Sequence, residues 1–197
     1  MTIAREARPF ALAALAAGAL LALWTPWAAL PALVALAFTL WFFRDPARTP
    51  PADPGALVAP ADGRILRADG MRISIFMNVF DVHVCRTPVG GTVGAVDHRP
   101  GRFLAAFRDE ASEVNERAAI TMDRPGGPVR FTLVAGLVAR RIVTWVGPGA
   151  SLAAGDRVGL IRFGSRVDVD LPAGTLPMVA VGDRVRAGET VLARLPG

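Results

Sequence analysis

Two adjacent residues, Gly164 and Ser165, interrupt what otherwise reads as one long β-strand near the carboxyl end of the chain. Apolar side chains recur at alternate positions from Val158 to Phe163 and again from Val167 to Leu171. A glycine inside a strand usually marks a bulge or a point where another group approaches the backbone closely. A serine hydroxyl at such a strained point can attack the carbonyl of the preceding glycine and move the acyl group from nitrogen to oxygen. The pattern therefore predicts a reactive peptide bond.

The product of this chemistry would be a new functional group. Elimination from the ester cuts the chain, and hydrolysis leaves the former Ser165 as a pyruvoyl group at a new amino terminus. Its carbonyl can condense with a substrate amine and accept electrons from a breaking bond. Phe163-Gly164-Ser165-Arg166 lacks the G-x-S-x-G spacing of a serine-hydrolase elbow. The pair thus indicates self-cleavage rather than a hydrolase nucleophile.

The basic residues restrict the cofactor. All 22 of them are arginine, so no lysine is present to hold pyridoxal phosphate as a Schiff base. The net charge is +5, but the arginines are scattered, which favours anionic lipid headgroups or a phosphate-bearing substrate over nucleic acid. Cys85 is the only cysteine, so neither an internal disulfide nor a Cys-x-x-Cys zinc site is expected.

Two histidines, His83 and His98, are the only imidazoles available for proton transfer. His83 lies in an apolar strand pattern, where a packed core histidine is the competing interpretation. His98 precedes Arg99-Pro100-Gly101 and fits either a turn or a second acid–base group. His83, Cys85 and His98 together could offer three metal ligands, but no fourth ligand stands at a telling spacing, so no metal site is predicted.

These residues must be positioned by two kinds of structure. Residues 10–43 carry no charge and are interrupted by Thr25-Pro26-Trp27, which predicts a helical hairpin with arms at 10–24 and 27–43. Arginines on both sides of the hairpin favour a membrane-associated segment with both ends in the cytoplasm. We therefore expect a membrane hairpin and linker start at 1–48 and a catalytic domain at 49–197.

The catalytic domain reads as mainly β, of compact barrel or sandwich type. Gly and Pro punctuate short alternating segments, and only Arg102–Arg117 offers a helix. A weak repeat, G-x-x-[VL]-x-A-G-[DE], begins at Gly149 and again at Gly182. Such turns occur in the hammerhead folds of biotinyl and lipoyl carriers, but a carrier needs a lysine that this chain lacks. The predicted strands are 56–59, 64–68, 72–78, 82–85, 91–96, 129–133, 141–146, 158–163 and 167–171.

Six motifs in order give the chain a family resemblance. They are FFRDPARTP, APADGRI, FMNVFDVHVCRTPVGGTV, HRPGRF with ASEVNER, GLVARRIVTWV and RFGSRVDVDLP. Each motif is weak alone, whereas the ordered set ending in the Gly-Ser junction is specific. By these motifs the chain resembles phosphatidylserine decarboxylase, in the short bacterial and archaeal form of the proenzyme.

The resemblance implies roles for particular residues. Cleavage between 164 and 165 would give a large β chain, 1–164, and a small α chain, 165–197, which stay together as a heterodimer. Ser165 would become the covalent pyruvoyl cofactor. Asp62 and His83 match the aspartate and first histidine of an Asp-His-Ser relay for self-cleavage. Longer relatives carry a second histidine where this chain has Arg86, so His83 and His98 both remain candidates for the cleavage base.

A further motif, Asn115-Glu116-Arg117, resembles a family segment near the active site, although a solvated helix end would look the same. The implied reaction converts phosphatidylserine to phosphatidylethanolamine and CO2 in phospholipid biosynthesis. The expected location is a bacterial inner membrane, with the catalytic domain on the cytoplasmic side. Two alternatives stay open: a pyruvoyl decarboxylase of a small amino acid, and a non-enzymatic, membrane-tethered hammerhead-like binding module.

Overall fold

The fold is taken from a computed structural model that describes residues 1–108, 110–137, 141–162 and 165–195. The chain divides into two compact units, Met1–Ala47 and Arg48–Gly197. The expected division at 48/49 falls beside this boundary, and the functional separation of the two parts stays a prediction.

The first unit is a pair of helices, α1 (Arg8–Ala22) and α2 (Leu30–Phe42). Prolines stand in the first turn of each helix, where a missing N–H is tolerated. Strand β1 (Thr2–Ile3) pairs with β2 (Arg44–Asp45) and closes the base of the pair. Within the described residues, no helix combines the length and apolar character needed to span a bilayer. The expected helical arms are present, and their association with a membrane stays a prediction.

The second unit is built mainly from antiparallel strands with one short helix, α3 (Ala111–Val114). Its described strands are β3 (Ala56–Val58), β4 (Gly63–Ala68), β5 (Arg72–Met77), β6 (Val84–Arg86), β7 (Gly91–Arg99), β8 (Arg117–Asp123), β9 (Val129–Ala135), β10 (Ile142–Thr144), β11 (Ser151–Leu152), β12 (Arg157–Ile161), β13 (Ser165–Asp170), β14 (Arg184–Val185) and β15 (Val191–Arg194).

The strands form layers rather than a barrel. A large sheet of eight strands runs β11-β7-β8-β9-β13-β5-β4-β14, and its two edge strands, β11 and β14, do not meet among the described pairings. A three-stranded sheet, β10-β12-β6, and a two-stranded sheet, β15-β3, pack against it through one apolar core. The mainly β prediction is confirmed, and of the two expected types the layered one fits.

Alternation along β13 decides which side chains enter the core. Val167 and Val169 are fully buried in the core, whereas Arg166 and Asp168 point to the opposite face of the large sheet. Ser165 has the same parity as the two valines. The side chain of Ser165 therefore faces the interior between the sheets.

The structure corrects the expected secondary structure around residue 110. Only one helical turn, α3, forms in the predicted helix Arg102–Arg117, and a strand that was not predicted, β8, follows it. Ala118, Ile120 and Met122 alternate inward along β8. Two alanines among its first three residues hide that alternation from a hydropathy pattern.

The internal repeat has matching surroundings in its two copies. Its first copy contributes β11, which pairs with β7 at Gly91, and its second contributes β14, which pairs with β4 at Gly63. The order of the large sheet is correspondingly palindromic, with β9 and β13 at its centre. In the large sheet, β7, β8, β9 and β11 form one half, and β4, β5, β13 and β14 form the other. Along the sequence, the first half is inserted between β5 and β13 of the second.

Candidate active site

Ser165 is the first residue of β13, in the middle of the large sheet. It pairs with Met77 at the end of β5 and with Ala135 at the end of β9. Its side chain is fully buried, and within the described part of the chain its Oγ has no hydrogen-bond partner. The predicted cleavage partner, Gly164, lies outside the described residues, as does Phe163.

The interruption in the strand pattern coincides with a passage between two sheets. Strand β12 ends at Ile161 in the three-stranded sheet, and β13 begins at Ser165 in the large sheet. The neighbouring passages, from β5 to β6 and from β9 to β10, join the same two sheets in the opposite direction, from the large sheet to the three-stranded one. We call the ends of β5 and β9 with the start of β13 the crossover corner. Ser165 is central in it.

His83 lies at the start of the three-stranded sheet, beside the end of β12. It directly precedes β6, is almost completely buried, and accepts the Ile161 N–H at its carbonyl oxygen over 3.3 Å. Its Nδ1 lies 3.0 Å from the carbonyl oxygen of Asp81. A ring nitrogen facing a carbonyl must carry a proton, so Nε2 is the basic nitrogen of the neutral ring. The backbone thereby selects the tautomer suited to a general base.

Asn115 fixes the backbone opposite the serine. Its fully buried side-chain amide donates to the carbonyl oxygens of Ala135 (2.7 Å) and Leu104 (2.8 Å), and its Oδ1 accepts the Leu104 N–H at 2.8 Å. Ala135 is the residue paired with Ser165. Asn115 therefore connects the segment before α3 to the strand that flanks the reactive residue.

The other two residues of the motif lie close by and do different work. The Glu116 carbonyl accepts the Ala135 N–H at 2.9 Å, and its Oε1 lies 3.5 Å from the backbone nitrogen of Ile142. Arg117 donates to the Glu113 carbonyl and lines a polar cavity of about 270 Å³ on the outer face of the large sheet. Glu116 thus belongs to the crossover corner, and Arg117 faces away from it.

Asp62 lies in the turn between β3 and β4 and is mostly buried. Its carboxylate accepts Arg48 Nη2 at 2.7 Å and the Ala187 N–H at 2.8 Å. Arg48 also donates to Glu189 at 3.2 Å. Neither contact of Asp62 is with His83, so a relay between Asp62 and His83 stays a prediction.

Sequence comparison decides the family. A family model described as phosphatidylserine decarboxylase matches residues 35–193. The chain is similar to the phosphatidylserine decarboxylase proenzymes of Symbiobacterium thermophilum (50% identical, covering 98% of this chain and 96% of the relative), Desulfotalea psychrophila (49%, 83% and 82%) and Neisseria gonorrhoeae (47%, 98% and 79%). The chain belongs to the phosphatidylserine decarboxylase family. The resemblance inferred from its motifs is confirmed.

The second histidine, His98, lies several strands away from Ser165 of this decarboxylase-family chain. His98 is exposed near the end of β7 and pairs with Ala118 of β8. Three strand spacings separate β7 from β13, which is roughly 14 Å across the sheet. His83, by contrast, bonds through its backbone to Ile161 at the end of β12, four residues before Ser165 in the chain. The role of each as cleavage base stays a prediction.

Cys85 does not join a metal site with the histidines. It is fully buried, and this burial raises the pKa of its thiol, with the charge of Asp62 as a second cause. A neutral buried thiol is a poor metal ligand and a poor nucleophile. In the part of the chain that the structure describes, no three His, Cys, Asp or Glu side chains cluster as a metal ion requires.

Sequence reasoning found the serine but missed its surroundings. Ala135 carries no chemical signal, and its importance comes from pairing with Ser165 and accepting the Asn115 amide. Arg166 was treated as part of the junction motif, yet it is among the largest fully buried side chains of the protein. The alternation of β13 was the available signal, since it places Arg166 on the face opposite the core.

Proposed function

We propose that this chain is a self-processing, pyruvoyl-dependent decarboxylase that converts phosphatidylserine to phosphatidylethanolamine and CO2. The observation that carries the proposal is the buried Oγ of Ser165, which has no hydrogen-bond partner among the described residues, at the first position of a central strand. The names of the relatives support the substrate.

The environment of Ser165 fits a group made from its own side chain. Leaving a buried hydroxyl without a hydrogen bond costs about 1–3 kcal/mol, so a purely structural site would hold alanine or a bonded serine. The paired residues, Met77 and Ala135, offer no polar side chain to satisfy the hydroxyl. An unsatisfied hydroxyl next to a glycine is available as a nucleophile.

Self-cleavage begins when Ser165 Oγ attacks the Gly164 carbonyl carbon and gives its proton to a base, for which His83 Nε2 is our candidate. The C–N peptide bond breaks, the Ser165 nitrogen takes up a proton, and an ester joins the two residues. Elimination of the ester releases Gly164 as a carboxylate and leaves an unsaturated residue at 165. Water then replaces its nitrogen, which leaves as ammonia, and a pyruvoyl group remains.

The mature site needs two things from the chain beyond that group. The pyruvoyl carbonyl supplies the electron sink that lets a carboxylate leave as CO2. His83 Nε2 takes up a proton and then passes it on, because the Asp81 carbonyl holds Nδ1–H and leaves Nε2 as the nitrogen that exchanges protons. Asn115 keeps the Ala135 backbone in place beside the strand, and we assign Asp62 a supporting role through its ion pair with Arg48.

The first unit supplies a means of reaching a lipid substrate. Its helices and the connection between them expose many large apolar side chains, which include Leu12, Leu20, Leu23, Trp24, Trp27, Leu33 and Val34. An exposed apolar surface of this kind favours contact with a bilayer. We assign the protein to the cytoplasmic surface of the bacterial inner membrane, with arginines near anionic headgroups.

Intact-mass analysis of the purified full chain tests this function. We expect two polypeptides with a boundary between residues 164 and 165, the smaller one reacting with a hydrazide reagent through its carbonyl. Ser165→Ala should remain one uncut chain that neither reacts with hydrazide nor releases CO2 from phosphatidylserine vesicles. An uncut wild-type chain that still releases CO2 would exclude the pyruvoyl mechanism. A cleaved, hydrazide-reactive chain that acts on free serine but not on the vesicles would exclude the substrate.

A further inference from the structure

A buried charged network lies directly behind the reactive residue. Arg166 Nε donates to Asp168 Oδ1 at 2.6 Å, and the two side chains are only 2% and 3% exposed. Arg166 Nη2 donates to Ser74 Oγ on β5 at 2.8 Å. Both charged residues belong to β13, so the network begins one residue after Ser165.

The same network reaches Arg108 and the residues around α3, 110–115, which lie over the outer face of the large sheet and which we call the covering segment. Ser112 Oγ of α3 donates to Asp168 Oδ2 at 2.5 Å, and Arg166 Nη1 lies 3.3 Å from the carbonyl oxygen of Arg108. This segment also carries Asn115, which bonds the backbone of Ala135 opposite Ser165. One guanidinium and one carboxylate therefore join β13, β5 and the covering segment.

A buried ion pair at this place needs a reason other than stability. Removing two charges from water costs several kcal/mol per ion, and well-packed apolar residues are often as stabilising or more so. A second pair, Arg72 with Asp170, joins the same strands at the other end of β13 at 2.8 Å, yet its side chains are 36% and 38% exposed. The buried pair is thus specific to the end of β13 that carries Ser165.

Cleavage changes what holds that end of the strand. Before the cut, the chain on both sides of Ser165 is covalently continuous. After the cut, residue 165 is a chain terminus, and termini fray unless they are tied down. Backbone pairing to Met77 and Ala135 remains, but a terminal pair in a sheet opens easily.

We infer that Arg166 and Asp168 are positioning residues that keep the amino terminus of the mature α chain in register. The inference rests on the proposed function, because it concerns the chain after self-cleavage. The pair acts through the backbone of β13 and not by touching substrate, since its side chains lie on the face opposite the Ser165 side chain. Loss of the pair should let the first residues of the α chain open and misplace the pyruvoyl carbonyl.

The test compares two double variants of the full chain. Arg166→Met/Asp168→Leu replaces the buried pair with apolar side chains of similar size, and Arg72→Met/Asp170→Leu does the same at the far end of β13. Each purified protein is checked for folding, extent of cleavage, hydrogen exchange of the first α-chain amides, and kcat and KM on phosphatidylserine vesicles. Arg166→Lys is the conservative variant.

We expect the buried-pair variant to be cleaved and folded, with faster hydrogen exchange at residues 166–168 than in the wild type. Its kcat should fall by roughly tenfold to a hundredfold with little change in KM, since a displaced reacting group lowers turnover rather than binding. The far-end variant should match the wild type in both measurements, and Arg166→Lys should recover part of the loss.

Three outcomes would overturn the inference. Equal exchange and equal kcat in the buried-pair variant and the wild type would show that the pair does not hold the terminus. A folded buried-pair variant that stays uncut while the far-end variant matures would place its role before cleavage instead. Equal losses in both double variants would reduce the effect to general loosening of β13. An uncut wild-type chain is a separate result, which rejects the proposed function itself.

Discussion

The proposed chemistry of the site depends on which hydrogen bonds two side chains make and which they lack. Ser165 Oγ is buried without a described partner, while His83 has its Nδ1 committed to a backbone carbonyl. In the proposed mechanism, the first arrangement keeps a nucleophile available and the second keeps a base in one tautomer. Both arrangements are set by the fold of the uncut chain, so neither needs a bound substrate.

Replacing each histidine separately with alanine distinguishes their possible roles. His83→Ala should accumulate uncut chain, and any matured fraction should turn over at least about a hundredfold more slowly, since general acid–base catalysis contributes 10²–10⁴-fold. His98→Ala should mature and turn over normally, because His98 is exposed and three strands from β13. The measurements are the precursor fraction on a denaturing gel and CO2 release per hydrazide-reactive group. Precursor accumulating in His98→Ala but not in His83→Ala would make His98 the base.

The sequence indicates candidate side chains more readily than the partners that those side chains contact. Ser165 and His83 stand out as candidates because a Gly-Ser pair interrupts the alternation of a strand and because the chain has only two histidines. The partners of Asn115 could not be predicted, since they are backbone carbonyls of Leu104 and Ala135 brought together only by folding. The same holds for Asp62, whose ion-pair partner Arg48 comes from the proline-rich linker.

Among the elements, the most informative is the passage from β12 to β13. A local pattern shows only that alternation fails at Gly164 and Ser165. It cannot show that the chain leaves one sheet for another. The existence of two sheets at this point depends on where β5, β6, β9 and β10 pair, and those strands are distant in the sequence. The strands themselves were largely predictable, whereas β8 and the short strands of the repeat were not.

Two glycines begin equivalent strands in the two halves and predict a shared sensitivity. A Cβ on Gly63 would lie 2.1 Å from the Phe76 carbonyl oxygen, and one on Gly91 would lie 2.3 Å from that of Asp123. Gly63→Ala and Gly91→Ala should each lower the free energy of unfolding by about 2–4 kcal/mol, through overlap with backbone that cannot move easily.

The matched control for these glycines is Gly70→Ala, in the turn between β4 and β5, where a Cβ would meet nothing within 4 Å. It should change the free energy of unfolding by no more than about 0.5 kcal/mol. Urea unfolding in the uncut Ser165→Ala background measures all three variants without interference from cleavage. A loss at Gly70 as large as at Gly63 would remove the steric explanation.

For the whole molecule, the division into two units predicts separable tasks. Deleting residues 1–43 should leave a second unit that still cleaves itself, because every described contact of Ser165, His83 and Asn115 given above lies within Arg48–Gly197. Turnover of phosphatidylserine in vesicles should fall, while turnover of a short-chain, detergent-dispersed substrate should not. Vesicle flotation gives the bound fraction. A truncated chain that floats and acts on vesicles like the full chain would assign membrane contact to the second unit.

The nesting of one half of the domain inside the other has a consequence for the lifetime of the mature protein. If the chain is cleaved as proposed, the α chain would supply β13 at the centre of the large sheet, β14 at its edge and β15 in the small sheet with β3. The cut would then break a covalent link without releasing a fragment, and the folded product would lack the chain connectivity that guided its assembly.

Denaturation should then be harder to reverse for the mature enzyme than for the uncut chain. The Ser165→Ala chain should refold at a rate independent of protein concentration, since all its strands share one polypeptide. The mature enzyme must instead reunite two chains, so its recovery should slow on dilution and compete with aggregation. Refolding followed at a tenfold range of concentrations distinguishes the two. Unfolding would therefore be repaired less readily in the cleaved protein than in the uncut chain, and most of all where the protein is dilute.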